Sequence, residues 1–226
     1  MNFSHFIDFG EIIVHNIDED NGGTAMGKVE ENKKKKKETL LTAAYELFQE
    51  KGFSRTTISD IVEKAGLAKG TFYLYFKDKF DLREKLIVHK SAQLFDDAFR
   101  ELEKKEMSSF EEELLFITDY IIGRFRKQTS LMQFVAKNLS WGVFMDAVSN
   151  TELVSAQPFY RHYLGAMEKY GVRCKSPELM IFTIIELVGA TSYNCILLER
   201  PVSIDTYLPY LRKTILQIIH VYTEDA

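Results

Sequence analysis

Within little more than one helical turn, Lys69, Gly70, Thr71 and Tyr73 offer an ammonium, a bare backbone and two hydroxyls. Lys69 can donate to guanine O6 and N7, and Thr71 can bond a base or touch a thymine methyl. Gly70 allows a helix backbone to approach a duplex closely. Tyr73, Tyr75 and Lys79 carry donors suited to phosphates, contacts that position a protein without reading sequence. A plain helical hairpin with surface Lys and Tyr is the alternative; the agreement of turn, spacing and donors argues against it. Other chemistry finds little support. His5, His15, His89, His162 and His220 are scattered and form no local base or metal motif. Cys174 and Cys195 have neither Cys-x-x-Cys spacing nor accompanying histidines, which excludes a zinc site and a disulfide scaffold. No catalytic residue, metal or cofactor is expected, and a helical enzyme is the weakest reading.

Two short helices must hold these donors. Ile58, Ile61, Val62 and Ala65 recur at i, i+3, i+4 and i+7, one face of a helix. Thr57 stands where a hydroxyl accepts from an unpaired first-turn N–H, and Gly66 where a helix ends in a left-handed residue. A second helix is predicted from about Ala68 to Tyr75, with Phe72 and Phe76 on its inner face. Helix, glycine turn and helix is the helix-turn-helix pattern, in which the start of the second helix meets base edges and the first crosses the backbone. Thr57 then falls beside a phosphate. An earlier helix, with Leu40, Leu41, Ala44, Leu47 and Phe48 on one face and Gly52 after it, completes a three-helix head.

The run T-T-I-x-x-I-V-x-x-A-G-L-A-K-G-T-F-Y-x-Y-F-x-x-K-x-x-L, from Thr56 to Leu82, resembles the DNA-binding signature of TetR-type transcriptional regulators. With its flanking helices the likeness runs from Glu38 to about Val88. It implies a homodimer with a helical ligand-binding body, dimerising through the last two helices, on a double-stranded, near-palindromic operator. It implies a cytoplasmic regulator, expected to be a repressor released by a small-molecule effector. An activator, or a regulator whose body binds a protein, stays open. Two positions depart from the family: Ser59 stands near a frequent Arg and has shorter reach to DNA, and Tyr75 replaces a common His.

Charge is distributed to match. Residues 1–27 carry a net −5, residues 28–85 a net +4 and residues 86–226 a net −3. The overall −4 therefore does not argue against DNA binding, because the location of the positive charge decides. The chain divides into an N-terminal extension over 1–32, a helix-turn-helix domain over 33–80 with its motif at about 57–76, and a body over 81–226. Met26 is an alternative start, which would make residues 1–25 a leader. Lys33 to Lys37 reads either as a solvated tail or as a basic arm reaching phosphates.

A long helix follows the head, and from Ser108 on the pattern is helical without alternating strand runs, so the fold class is all-α: a three-helix head and a helical-bundle body. Helices are expected from about Asp78 or Phe80 to Glu103, over Phe110 to Lys127, from Thr129 to about Val148, from about Pro158 to Gly171, from Pro177 to Glu199, and from Thr206 or Pro209 to Tyr222. The segment LMIFTIIELVGA is apolar nearly all round and must be covered on several sides; with the last helix it suits half of a four-helix bundle completed by a second copy through residues 177–222. No uninterrupted apolar stretch suffices for a membrane span, and no membrane partner is expected. Tyr120, Phe134, Trp141, Phe144, Tyr163 and Tyr193 are candidates for an aromatic effector pocket. Glu186, the charge in the apolar segment, either meets a cationic ligand or forms a salt bridge.

Overall fold

The computed structural model describes residues 24–135 and 157–223. Among these the chain is all-α and contains no strand. Helix α1 runs Thr24–Lys51, α2 Ile58–Lys64, α3 Lys69–Tyr73, α4 Lys79–Leu102, α5 Phe110–Lys127, α6 Thr129–Val135, α7 Gln157–Lys169, α8 Pro177–Tyr193 and α9 Ile204–Thr223. A π-helical turn, Asn194–Leu198, continues α8.

Two apolar cores organise these helices. In the first, Leu40, Leu41, Ala44, Leu47 and Phe48 of α1 close on Ile61 and Val62 of α2, Phe72 of α3, Phe76, and Leu82 and Leu86 of α4. The second gathers the remainder of α4 with α5 to α9, through residues such as Leu94, Phe110, Ile122, Met132, Met180 and Leu211. Helix α4 contributes to both cores, so it is the shared beam between head and body.

The ends of the helices follow from their caps. The side chain of Asp78 accepts from the N–H groups of Phe80 and Asp81 and starts α4. Ser109 caps α5, whose first turn is acidic and last turn basic, both favourable to the helix dipole. Gly52, Gly66 and Gly171 hold φ of 82°, 65° and 65° beyond α1, α2 and α7, the left-handed state expected of a C-terminal glycine.

Several expectations need correction. Lys33 to Lys37 are helical rather than a loose tail: they lie inside α1, with Lys33 to Lys36 exposed on it. Lysine and glutamate are good helix formers, and the run 28–39 reads as helix on propensity alone. Helix α3 stops at Tyr73 rather than Tyr75, and α9 begins at Ile204 with Pro209 in its second turn. The expected helix from Thr129 is described only to Val135, so its remainder lies outside the described residues.

Helix α8 with its π-helical continuation, Pro177–Leu198, has a mean hydropathy of 1.7 and is long and apolar enough to cross a membrane by length and composition. The expectation from sequence missed this because Glu178 and Glu186 interrupt the run without lowering its average enough. Here α8 forms a wall of the body: Met180, Ile181 and Ile184 are fully buried against the other helices.

Candidate nucleic-acid interface

Helix α2 is fixed at both ends. Thr57 Oγ1 accepts from the Asp60 N–H at 3.1 Å, and an Asp60 carboxylate oxygen accepts from the Thr57 N–H at 2.7 Å, a reciprocal capping box. Lys51 reaches the same carboxylate at 2.7 Å. The Lys51 hydrogen bond, with those from Thr57, holds the Asp60 carboxyl at about 2. At the other end, Leu67 N–H donates to Val62 O and Gly66 N–H to Glu63 O, the paired bonds of a Schellman turn. That turn aims α3 away from α2.

Phe72 and Phe76 are 0% and 1% exposed and anchor the inner side of α3. At 3.6 residues per turn the opposite ridge carries Gly70 and, one turn on, Leu74. Leu74 is 78% exposed, and Tyr73 beside it 54%. Lys69 and Gly70 are exposed, and Thr71 and Tyr75 are half-buried at the flanks. A methyl added at Gly70 would meet nothing within 4 Å, and its φ is ordinary. Nothing inside the fold requires glycine there, which leaves close approach of an outside surface as its physical use. Leu74 is the residue that motif reasoning passed over. Its signal was available, as an apolar side chain diametrically opposite Phe72 and Phe76.

Thr57 and Ser59 are exposed at the start of α2. The Thr57 hydroxyl oxygen serves the cap as acceptor, so its O–H is free to donate outward. Lys79 needs a different account. Its ammonium donates to Phe53 O at 2.9 Å and Thr56 O at 2.7 Å and lies 4.4 Å from the Phe53 ring centroid. It ties α4 to the α1–α2 turn, which leaves one of its three N–H donors for a phosphate.

The body holds an apolar cavity of about 150 Å³ between α4, α5 and α8. Leu94, Phe95, Ile117, Ile121, Ile184 and Val188 supply much of its wall, with Val135 of α6 and Phe159 of α7 at its ends. Its hydroxyls, Ser91 and Thr118, donate to carbonyls one turn back on their own helices. Glu186 also lines it and is, among the described residues, the charged group of the lining.

None of the four described aromatics assigned to a pocket lines this cavity. Tyr163 is buried, and its hydroxyl donates to Pro177 O at 3.0 Å. Tyr120 and Tyr193 pack at the margin of the body core. Phe134 packs against both cores: it meets Tyr45 edge-on at 5.4 Å and stacks on Phe48 at 6.4 Å, both on α1. The cavity wall is mainly aliphatic. Trp141 and Phe144 lie outside the described residues.

Residues 40–86 match the family of bacterial regulatory proteins, tetR family. The head is of the TetR type. The match to the TetR-type head covers α1 from its first buried leucine to the second turn of α4, the elements of the first core. An uncharacterized HTH-type transcriptional regulator, YvdT, of Bacillus subtilis (strain 168) is 49% identical over 63 residues, 26% of this chain and 32% of that protein. The fatty acid metabolism regulator protein of the same organism is 35% identical over 66 residues, 29% of this chain and 34% of that protein. The chain thus spans about a third of the length of these relatives. In overall fold it is similar to the transcriptional regulator FadR from Bacillus subtilis, solved in complex with stearoyl-CoA. The TM-score is 0.53 at 19% identity, over 80% of this chain and 98% of that one. At that identity the likeness extends the TetR-type architecture to the body as a fold.

Proposed function

We propose that the protein is a sequence-specific, DNA-binding transcriptional repressor that acts as a homodimer on a near-palindromic operator and is released by a ligand in its body. The observation that carries this reading is the outward ridge of α3, where Lys69, Gly70, Tyr73 and Leu74 stand exposed on a helix whose inner face is anchored in the head core. Lys69 and Thr71 read base edges; Thr57, Ser59, Tyr75 and the remaining donor of Lys79 hold phosphates. The division of labour is a head through about residue 80 and a body beyond it.

The dimer uses α8 and α9. They run antiparallel, with Thr183 and Tyr222 hydroxyls 3.1 Å apart. Leu179, Tyr210 and Val221 are 48%, 66% and 66% exposed, and Tyr210 and Val221 fall three turns apart on one side of α9. A second copy covers them, and two heads then meet half-sites about 34–36 Å apart.

The relay from cavity to head is short. Val135 lines the cavity, and its neighbour Phe134 seats on Tyr45 and Phe48 of α1. A ligand that displaces Val135 and Phe134 of α6 shifts the head, and release requires only that the ligand bind the two arrangements with different affinity. The stearoyl-CoA bound by the Bacillus subtilis neighbour suggests an effector with a long apolar portion here too.

Selection of duplexes from a random-sequence library by the full-length protein tests the reading. Enrichment of paired, inverted half-sites supports it; enrichment of none, or of single unpaired sites, contradicts it.

A further inference from the structure

Among the described residues the cavity has an aliphatic and aromatic wall and one carboxylate, that of Glu186. The two hydroxyls of the lining already donate within their own helices, so they present lone pairs inward rather than hydrogens. Among the described residues no Lys or Arg lines it. Glu186 sits on α8 between Ile185 and the stretch Val188 to Ala190, all on the same cavity, and is itself exposed at the rim. Among the described residues it forms no ion pair, although neighbouring surface carboxylates do: Asp97 with Arg124, Asp119 with Arg212, and Asp205 with Arg126.

From this arrangement we infer that the cavity takes amphiphilic cations, with the apolar body among Leu94, Ile117 and Ile184 and the positive group against Glu186. The inference rests on the ligand-released reading above and specifies the ligand's charge. Burial of the apolar portion supplies affinity to any lipophile of the right size. The charge decides between lipophiles: a cation gains from Glu186, and a carboxylate or phosphate of equal chain length is repelled by it. Glu186 is exposed in one copy of the chain, so there the gain is that of a partly screened pair and weakens with salt.

The test uses the full-length protein and three probes of one chain length below their micelle-forming concentrations: octyltrimethylammonium, octanol and octanoate. Binding is measured by isothermal titration calorimetry on the wild type and on Glu186→Gln. The expected order is cation, then alcohol, then carboxylate, with Glu186→Gln weakening the cation about two- to fivefold and leaving the alcohol unchanged. Octanoate binding as well as the cation, or a cation affinity indifferent to Glu186→Gln, overturns the charge assignment while leaving the cavity intact. Failure of all three, octanol included, overturns the cavity as a ligand site and the charge assignment with it.

Discussion

The ring of Phe134, on α6, meets the ring of Tyr45 on α1 edge-on at a centroid separation of 5.4 Å. This contact joins the body to the head, and Val135, the next residue, lines the cavity. Substituting Phe134 should therefore separate ligand binding from DNA release. In Phe134→Leu the cavity still binds octyltrimethylammonium, measured by calorimetry. The ligand-induced drop in DNA affinity, expected at about 1–3 kcal/mol in the wild type, should shrink by more than half. An undiminished drop would place the relay elsewhere, with α4 the next route.

Lys79 is predicted to matter more for stability than for charge. Replacing it with Met removes the donor to Phe53 O and Thr56 O. Phe53 O keeps the Thr56 N–H at 3.3 Å, so the cost is mainly that of leaving Thr56 O without a partner at a half-buried site, about 1–3 kcal/mol, read as a lowered midpoint in urea. A variant as stable as the wild type but weak on DNA would instead make Lys79 chiefly a phosphate contact.

An aspartate at position 221 tests the dimer. Val221→Asp places a charge on a side chain that is 66% exposed in one copy of the chain, so it should leave the protomer folded. Under the proposed interface it shifts the molecule to monomer in light scattering and weakens operator binding at least tenfold (order of magnitude,). A dimer of unchanged strength would remove this face of α9 from the interface.

Acid should loosen the packing of α7 on α5. His162 stacks on Phe99 at 4.1 Å, and burial lowers its pKa below the ordinary value of about 6.5. Glu113 accepts from Lys169 at 2.7 Å and Tyr170 at 2.8 Å, with the His162 ring 3.6 Å away. Burial raises the Glu113 pKa, but the bonds from Lys169 and Tyr170 more than offset it, and the net shift is downward. Both folded-state values lie below their unfolded ones, so both groups contribute stability that is present at neutral pH and lost on acidification. The His162 contribution fades as pH falls below about 6.5, and that of Glu113 below about 4.5. Melting temperature should fall between about pH 7 and 5, and His162→Phe should flatten that limb. A slope unchanged by the substitution would assign it to other groups.

Much of the head was legible because local chemistry and tertiary packing agree there. Thr57 sits where a cap is needed, Gly66 where the helix must turn left-handed, and Phe72 and Phe76 where the core lies. The body was legible as helices but less so as a site. Spacing says which residues share a face, not which faces leave a gap, so it does not single out Ile117, Ile184 and Val188 as the wall of a cavity. The role of Lys79 was hidden for a similar reason, since its carbonyl partners lie 26 and 23 residues away in the chain. The helical state of Lys33 to Lys37 was obscured by a charge run whose self-repulsion reads as disorder.

The most direct test of the central claim is the affinity of the protein for a duplex recovered from the library selection, measured by fluorescence anisotropy across a salt series. Lys69→Ala, Gly70→Ala and Leu74→Ala are compared with the wild type. All three positions are exposed and free of internal contacts that the fold requires, so the variants should melt no lower than the wild type, with Gly70→Ala slightly higher. The account predicts saturable binding that weakens steeply with salt and a loss of about 1–3 kcal/mol for Lys69→Ala if it reads a guanine. It predicts further losses for Gly70→Ala, whose methyl stands off the groove, and for Leu74→Ala. Unchanged affinity in all three variants, with the wild type still bound, would contradict the assignment of the outward face of α3 to DNA.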